Sequence, residues 1–384
     1  MNRRTFLIGV GGIGIAAVSG RSAYALDRTG LASVEPWRAA RTADVGSDPR
    51  LFVLRHAILA PNPHNRQPWI VELTGTGGMT LWCDLDRRLP ETDPFDRQIV
   101  IGLGAFTELA SLAATHLGFR LAVVPFPAGE PTPRLDRRPI ATLTLVRAEG
   151  AQPDPLFAAI ESRRSTKRPF DLDRPVPADA AARFAALSTE GVEVATVTDP
   201  AQVADLRALT WAAWLTEFET ARTWMESVRL MRFGRGEIEA NPDGISIGGA
   251  GLEPLVANGT LSREAFADSK SPANKVGRDR YAAMLAATPA YLTVTATRHD
   301  RAGQFEAGRT YVRANLLANA LGLAIQPVSQ ALQELPEMAQ HKAELERTLG
   351  IARGSRLHML ARLGYGPSVP ETPRWAAETR LRTG

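Results

Sequence analysis

Ala60-Pro61-Asn62-Pro63-His64-Asn65-Arg66-Gln67-Pro68-Trp69 is the stretch on which the reading of this chain turns. A helix predicted from about residue 49 into residue 60 stops before Pro61, because a proline pushes the residue ahead of it out of the helical region. Residues 69–73 leave the loop as a strand, and Gly75-Thr76-Gly77-Gly78 turns the chain into a second strand over 79–85. The loop is rich in side chains that donate and accept hydrogen bonds, and loops carried by regular elements are where ligands are commonly met. A second stretch, Arg163-Arg164-Ser165-Thr166-Lys167-Arg168-Pro169-Phe170, lies at the exit of a helix predicted over 155–164. An arginine fork beside a hydroxyl suits a cluster of anionic oxygens such as a phosphate. A solvated basic helix end has the same composition, so it is the pairing of the two stretches that makes each informative.

Together the two stretches resemble the nitroreductase family, whose site combines an Arg-x-Ser-x-Lys/Arg segment with an Ala-Pro-Ser-x-x-Asn-x-Gln-Pro-Trp segment. In that family the segments usually come from opposite subunits of a homodimer; here each occurs once, in one chain. The resemblance implies an α+β, nitroreductase-like fold of two fused halves, a pseudo-dimer with central sheets flanked by helices and one complete FMN site. It implies that Arg163 and Ser165 meet the FMN phosphate, with Arg164 beside them, and that Lys167 reaches the N1/O2 edge of the ring. A cation there stabilises the anion of the reduced ring. Pro61, Asn62 and Asn65 match positions that contact the flavin from the other half. Asn62 replaces the family's serine, and both residue types can donate to phosphate or ribityl oxygens. His64 sits in the same loop within reach of ring or substrate, and Gln67-Pro68-Trp69 fixes the loop as it enters the strand. Ser329-Gln330 stands where many members have Glu-Gly and where backbone N–H groups approach flavin N5. Arg374 matches a basic phosphate contact near the family's C-terminus.

The N-terminus sets the expected location. Asn2-Arg3-Arg4-Thr5-Phe6-Leu7 carries the twin-arginine pattern, an apolar glycine-rich run follows, and Ala23-Tyr24-Ala25 supplies a small-x-small cleavage site. The apolar run falls short of the roughly 20 residues that cross a bilayer. Residues 1–25 are therefore expected to be a Tat signal peptide, with the Tat translocase as a partner during export and a periplasmic mature chain without a stable membrane span. NADH and NADPH are not expected there. The chain carries a formal charge of +4, and loss of Arg3, Arg4 and Arg21 with the leader leaves +1. No dense Lys/Arg block with interleaved aromatics is present, so no nucleic-acid partner is expected. The single cysteine, Cys83, cannot form an intramolecular disulfide and reads as a packed strand thiol.

Beyond the leader, residues 26–50 read as an N-terminal arm, 51–150 as a first half, and 151–384 as a second half with a lid-like insertion around 224–256. Long helices are expected over 98–117, about 201–221 and 303–321, with strands over 192–197, 290–296, 323–327 and 356–365. The segment 224–256 breaks the pattern with Gly234, Gly236, Gly244, Gly248, Gly249 and Gly251. Gly244-Ile245-Ser246-Ile247-Gly248 matches Gly-x-Ser-x-Gly, but neither flank offers the strand and helix that a nucleophile elbow needs. The six histidines show no zinc-ligand spacing. The layout, the leader and the middle segment together look most like the Acg-type branch of the nitroreductase family. Two functions follow from that resemblance. One is an oxidoreductase whose FMN passes electrons to a small-molecule acceptor, a quinone or nitro compound. The other is a protein that stores or sequesters FMN under a lid without turnover. The sequence leaves monomer or homodimer open.

Overall fold

Polar caps and prolines set where the helices begin. The computed structural model describes residues 31–43, 46, 48–150 and 152–382, so the leader expected over 1–25 lies outside the described residues. The chain starts with α1 (Glu35–Arg41), α2 (Pro49–Ala57), β1 (Trp69–Thr74), β2 (Gly78–Cys83), α3 (Arg97–His116), β3 (Phe119–Pro125) and β4 (Ala141–Arg147). It continues with α4 (Ala178–Ala185) and β5 (Val192–Val197). A long connection then holds α5 (Pro200–Glu219), α6 (Ala221–Leu230), β6 (Met231–Phe233), α7 (Gly234–Ala240), β7 (Ile245–Ile247), α8 (Glu253–Ala257), α9 (Arg263–Ala267) and α10 (Pro272–Ala286). The last elements are β8 (Ala290–Ala296), α11 (Arg301–Ala320), β9 (Ala324–Pro327), α12 (Ala339–Thr348), β10 (Arg356–Gly364) and β11 (Leu381–Arg382). Asp48, Asp199, Ser271 and Asp300 cap α2, α5, α10 and α11 by accepting from a backbone N–H of the first turn. α3 is capped from further back: both Asp93 oxygens take the Gln98 and Ile99 N–H groups.

Two sheets form an α+β fold with helices on their faces. One runs β11-β1-β2-β4-β3 and the other β5-β8-β10-β9. Apart from β11, the first sheet repeats the order of the second, and every corresponding pair is antiparallel. α3 and α11 are each 20 residues long and lie 204 positions apart, Arg97 matching Arg301. Each ends at a left-handed glycine at the same offset, Gly118 (φ 73°) and Gly322 (φ 69°), the usual helix stop that only glycine adopts without strain. The two helices touch backbone to backbone. A Cβ on Gly104 would fall 2.0 Å from Phe305 O, and one on Gly308 would fall 2.0 Å from Ile101 O. The contact is reciprocal, three residues upstream of the matching glycine in each direction. Arg97 and Arg301 repeat the pattern. Arg97 donates to His358 O and Leu332 O, and Arg301 donates to Phe95 O, Pro131 O and Pro133 O.

The apolar core follows this layout. One cluster joins α2, α3, β1, β2 and β4; a second joins α4, α11 and the second sheet. Two smaller clusters hold the β5–β8 connection, one against α5 and α10, one around Val228, Met231, Phe233 and Phe266. α3 is long and apolar enough to cross a membrane by length and composition, and most of it is buried inside the fold.

Three features differ from the sequence expectation. The helix expected over 155–164 is a short 3-10 turn, Pro155–Ala159, because the chain beyond it straightens to pair with β9 through Thr166 N–H to Ile325 O. The glycine-scattered stretch 224–256 is ordered as α6, β6, α7, β7 and α8, within a longer connection that starts after β5 and ends at β8. Gly244–Gly248 holds β7, paired parallel to β6, rather than an elbow.

Candidate functional site

The site assembles from four segments that are remote in sequence. The loop between α2 and β1 is forced into an unusual shape: His64, Asn65 and Gln67 have φ of 47°, 52° and 50°. Non-glycine residues persist in that region only where their surroundings hold them. The holding groups are visible. Asn62 Oδ1 accepts from Gln67 N–H at 2.7 Å, and Asn62 Nδ2 donates to Ala60 O at 3.1 Å. Gln67, fully buried, donates to Pro242 O at 2.7 Å and accepts from Trp375 N–H at 2.9 Å. Asn65 Nδ2 donates to Pro373 O at 3.0 Å and its Oδ1 accepts from Arg374 at 2.5 Å. The amides of Asn62, Asn65 and Gln67 thus shape the loop, and they tie it to the C-terminal segment and to the β6–β7 region.

One end of the site is cationic. Arg163 is buried and donates to Leu59 O at 3.0 Å and Asn315 Oδ1 at 2.9 Å, while its Nε has no partner among the described residues. Among the described residues no carboxylate pairs with it, and burial lowers its pKa to about 10. Arg374, also buried, donates to Ile58 O at 3.0 Å and Ala60 O at 3.2 Å. β11 explains its position: by pairing parallel to β1 it returns the C-terminal segment from the second sheet to the first. Two guanidiniums therefore converge on the carbonyls that close α2, where a helix C-terminus attracts cations. Arg164 is partly buried and pairs with Glu371 at 2.8 Å. Ser165 is half-buried between this end and Lys167. A cavity of about 300 Å³ opens beside Arg374 and is also lined by Ser33, Pro36, Ile58 and Trp375.

The other end is a polar cluster around Lys167. Lys167 keeps accessible surface, yet so much protein surrounds its ammonium that burial lowers its pKa, with Glu217 opposing. His64 is close by: burial first, then the charges of Lys167 and Arg66, lower its pKa to about 4, so its ring is neutral at pH 7. His64 Nε2 lies 3.2 Å from Ser227 Oγ. Glu217, from α5, is buried and held by the Gln333 and Gln330 side chains. Burial raises its pKa to about 7; Glu226 adds to the rise and Lys167 opposes it. Glu226 accepts from the N–H groups of Glu91 and Thr92 and from Thr92 Oγ1. Ser329 is half-buried at the start of a short turn after β9, and Gln330 also bonds Tyr281.

The sequence therefore names Arg163, Ser165, Lys167, His64, Asn65, Gln330 and Arg374, and the structure brings them to one region. It does not reveal Asn315, Ser227, Glu217 or Asp243. Asp243 is buried and pairs with Arg66 and Arg87 at 2.9 Å and Arg232 at 2.8 Å, locking the β6–β7 region onto the loop. Asn315 offered one signal, a polar residue on the apolar face of a helix. His56 is buried in α2, with Nδ1 2.9 Å from Phe52 O. Among the described residues no group of three or more His, Cys, Asp or Glu could hold a metal ion.

No family model matches the chain. It is similar to two Mycobacterium tuberculosis proteins described as NAD(P)H nitroreductases, from strains H37Rv and CDC 1551. Each is 25% identical over 328 residues, covering 84% of this chain and 88% of the relative. Among solved structures it is similar to the FMN and NADPH-dependent nitroreductase NfnB from Sphigopyxis sp. strain HMH, at 17% identity and a TM-score of 0.39, covering 60% of this chain and 99% of that one. It is also similar to NfnB from Mycobacterium smegmatis in complex with NADPH, at 17% identity and a TM-score of 0.36, covering 59% and 96%.

Proposed function

We propose that this chain is an FMN-binding oxidoreductase of the nitroreductase type, holding one flavin between two fused halves. The observation that carries the reading is the pair of buried guanidiniums, Arg163 and Arg374, above the Leu59 and Ala60 carbonyls, with Arg163 Nε left without a partner among the described residues. A buried cation that meets no acid asks for an anion, and a phosphate accepts from an arginine fork better than any neutral group. Arg163, Ser165 and Arg374 would hold the phosphate, and Lys167 would face the ring. Bound FMN would supply two-electron chemistry to a small acceptor such as a quinone or nitro compound. The chain itself supplies position, a fixed cation and a neutral His64.

The reciprocal contacts of α3 and α11 support a pseudo-dimer, because two copies related by a two-fold axis touch in this way. The extent of similarity to the M. tuberculosis proteins supports the family assignment, and the single-chain layout supports its Acg-type branch. The leader supports Tat export to the periplasm. The relatives' description names NAD(P)H, but an exported chain would draw its electrons from another reductant.

One observation favours a second reading. The β5–β8 connection is pinned over the loop by Asp243, by Gln67 Nε2 on Pro242 O and by Gly244 N–H on Asn65 O. A connection fastened this firmly would suit a lid that stores flavin without turnover. The test is to reduce the flavin-loaded protein with dithionite under anaerobic conditions and add a quinone or nitroarene. Rapid reoxidation supports the oxidoreductase; sluggish reoxidation by every acceptor supports sequestration; a colourless protein that binds no flavin overturns both.

A further inference from the structure

The residue that ties the cationic end together lies on the N-terminal arm. Trp37, on α1, is 1% exposed, and its Nε1 donates to Thr372 O at 2.8 Å. Three guanidinium carbons lie over its ring: Arg164 at 4.6 Å, Arg374 at 5.6 Å and Arg163 at 5.8 Å. All fall within the roughly 6 Å at which a cation is attracted to an aromatic face. α1 is fastened on several sides. Arg41 pairs with Glu371 at 2.8 Å and with Glu161 at 3.5 Å. Ser33 O accepts from Arg374 N–H at 2.7 Å, and the N–H groups of Ala32 and Ser33 donate to Glu239 at 2.8 and 2.9 Å. The arm thus meets the 161–164 segment, the C-terminal segment and α7 around one indole.

We propose that Trp37 is a specificity-determining positioning residue, which holds Arg163 and Arg374 for a terminal phosphate and so makes the site select FMN over riboflavin. The inference rests on the FMN reading above. Its physics is electrostatic. Guanidiniums side by side in a buried space repel one another, and each one left in water would lose its geometry. The electron-rich indole face offsets part of that repulsion, and the ring's bulk keeps water out. In a drier site an arginine–phosphate contact is worth more, because the dielectric is lower. A phosphate dianion gains from this arrangement, whereas the terminal hydroxyl of riboflavin carries no charge and gains little.

The test titrates FMN, riboflavin and inorganic phosphate into the flavin-stripped full chain, in wild type, Trp37→Phe and Trp37→Leu, with circular dichroism to confirm folding. Leucine keeps apolar bulk without a ring; phenylalanine keeps a weaker ring. The FMN-to-riboflavin affinity ratio is expected to fall about tenfold in Trp37→Leu and less in Trp37→Phe, the scale of a partly desolvated cation–π contact. Phosphate should compete with FMN in the wild type and less well in Trp37→Leu. Equal loss of FMN and riboflavin affinity would make Trp37 merely structural and overturn the proposal, as would an unchanged ratio. If Trp37→Leu does not fold, the ratio in Trp37→Phe decides alone: several-fold below wild type supports the role, and no change overturns it. A wild-type chain that binds neither flavin overturns the cofactor reading and this inference with it.

Discussion

Arg163 brings a charge into the interior where, among the described residues, no acid meets it. Replacing it by methionine removes that desolvated charge while keeping apolar volume. Arg163→Met should leave the flavin-free protein's melting temperature little changed or raised, yet weaken FMN by about 1.5–3 kcal/mol, the range for hydrogen bonds to a charged group. Calorimetry of both forms checks it. Glu217 makes the opposite kind of prediction. Its folded pKa of about 7 lies above the usual value, so its contribution to stability is full below the unfolded pKa and is lost as pH rises through about 7. Glu217→Gln fixes the neutral state. It should melt above wild type at pH 8, by at most about 3 kcal/mol, and the gap should close towards pH 5. His64 and His358, with pKa values lowered to about 4 and about 3, act in the other direction and lose stability as pH falls below 6.5. They are common to both proteins and cancel in the comparison. A gap that widened on acidification would contradict the buried, protonated reading of Glu217.

At the scale of elements, the contact of α3 with α11 leaves no room for a methyl group. Gly104→Ala and Gly308→Ala each drive a Cβ into a carbonyl oxygen 2.0 Å away, so the helices must part. Each should cost about 3 kcal/mol or more in urea denaturation; a neutral result would mean the helices are not packed this closely. Asp243 fastens the β5–β8 connection through Arg66, Arg87 and Arg232. Asp243→Ala leaves three arginines without their shared acid, and loss of a buried partner costs about 3–5 kcal/mol. Limited proteolysis of the variant should cut first within 231–247; an unchanged pattern would show that the connection is held elsewhere. The strands around the loop were legible because alternation and turns are local signals: β5 and β8 have the expected ends. In the connection between them α5 was legible as a long periodic helix, but the rest was not, because its short helices and its parallel β6–β7 pair are held by tertiary contacts rather than by their own periodicity.

At the scale of the whole molecule, the chain reads as two comparable runs of helix and strand, and the structure adds their matched register. The 204-residue offset is written in the sequence, in Asp96-Arg97 with Asp300-Arg301 and in Leu117-Gly118 with Leu321-Gly322. So few identities separated so widely stand out only once the helices are seen to touch. The site divides in the same way. Arg163, Ser165, Lys167 and His64 are legible because contiguous segments carry them. Trp37, Asn315 and Glu217 are not, since each gains its meaning from a neighbour in another part of the chain. The repeated layout also has a lopsided consequence. Past the helices the offset shortens to 202: Pro125 and Pro327 close β3 and β9, and the next N–H groups, of Phe126 and Val328, donate to Ile140 O and Leu360 O. The positions matching Ser329 and Gln330 are therefore Pro127 and Ala128, so an apolar pair stands where the polar turn would be. One flavin per chain is therefore expected. The most direct measurement is the ratio of bound flavin to protein in the purified full chain, with the released cofactor identified by mass. The prediction is one FMN per chain in the wild type and little or none in Arg163→Met; no flavin, riboflavin in place of FMN, or two FMN per chain would contradict it.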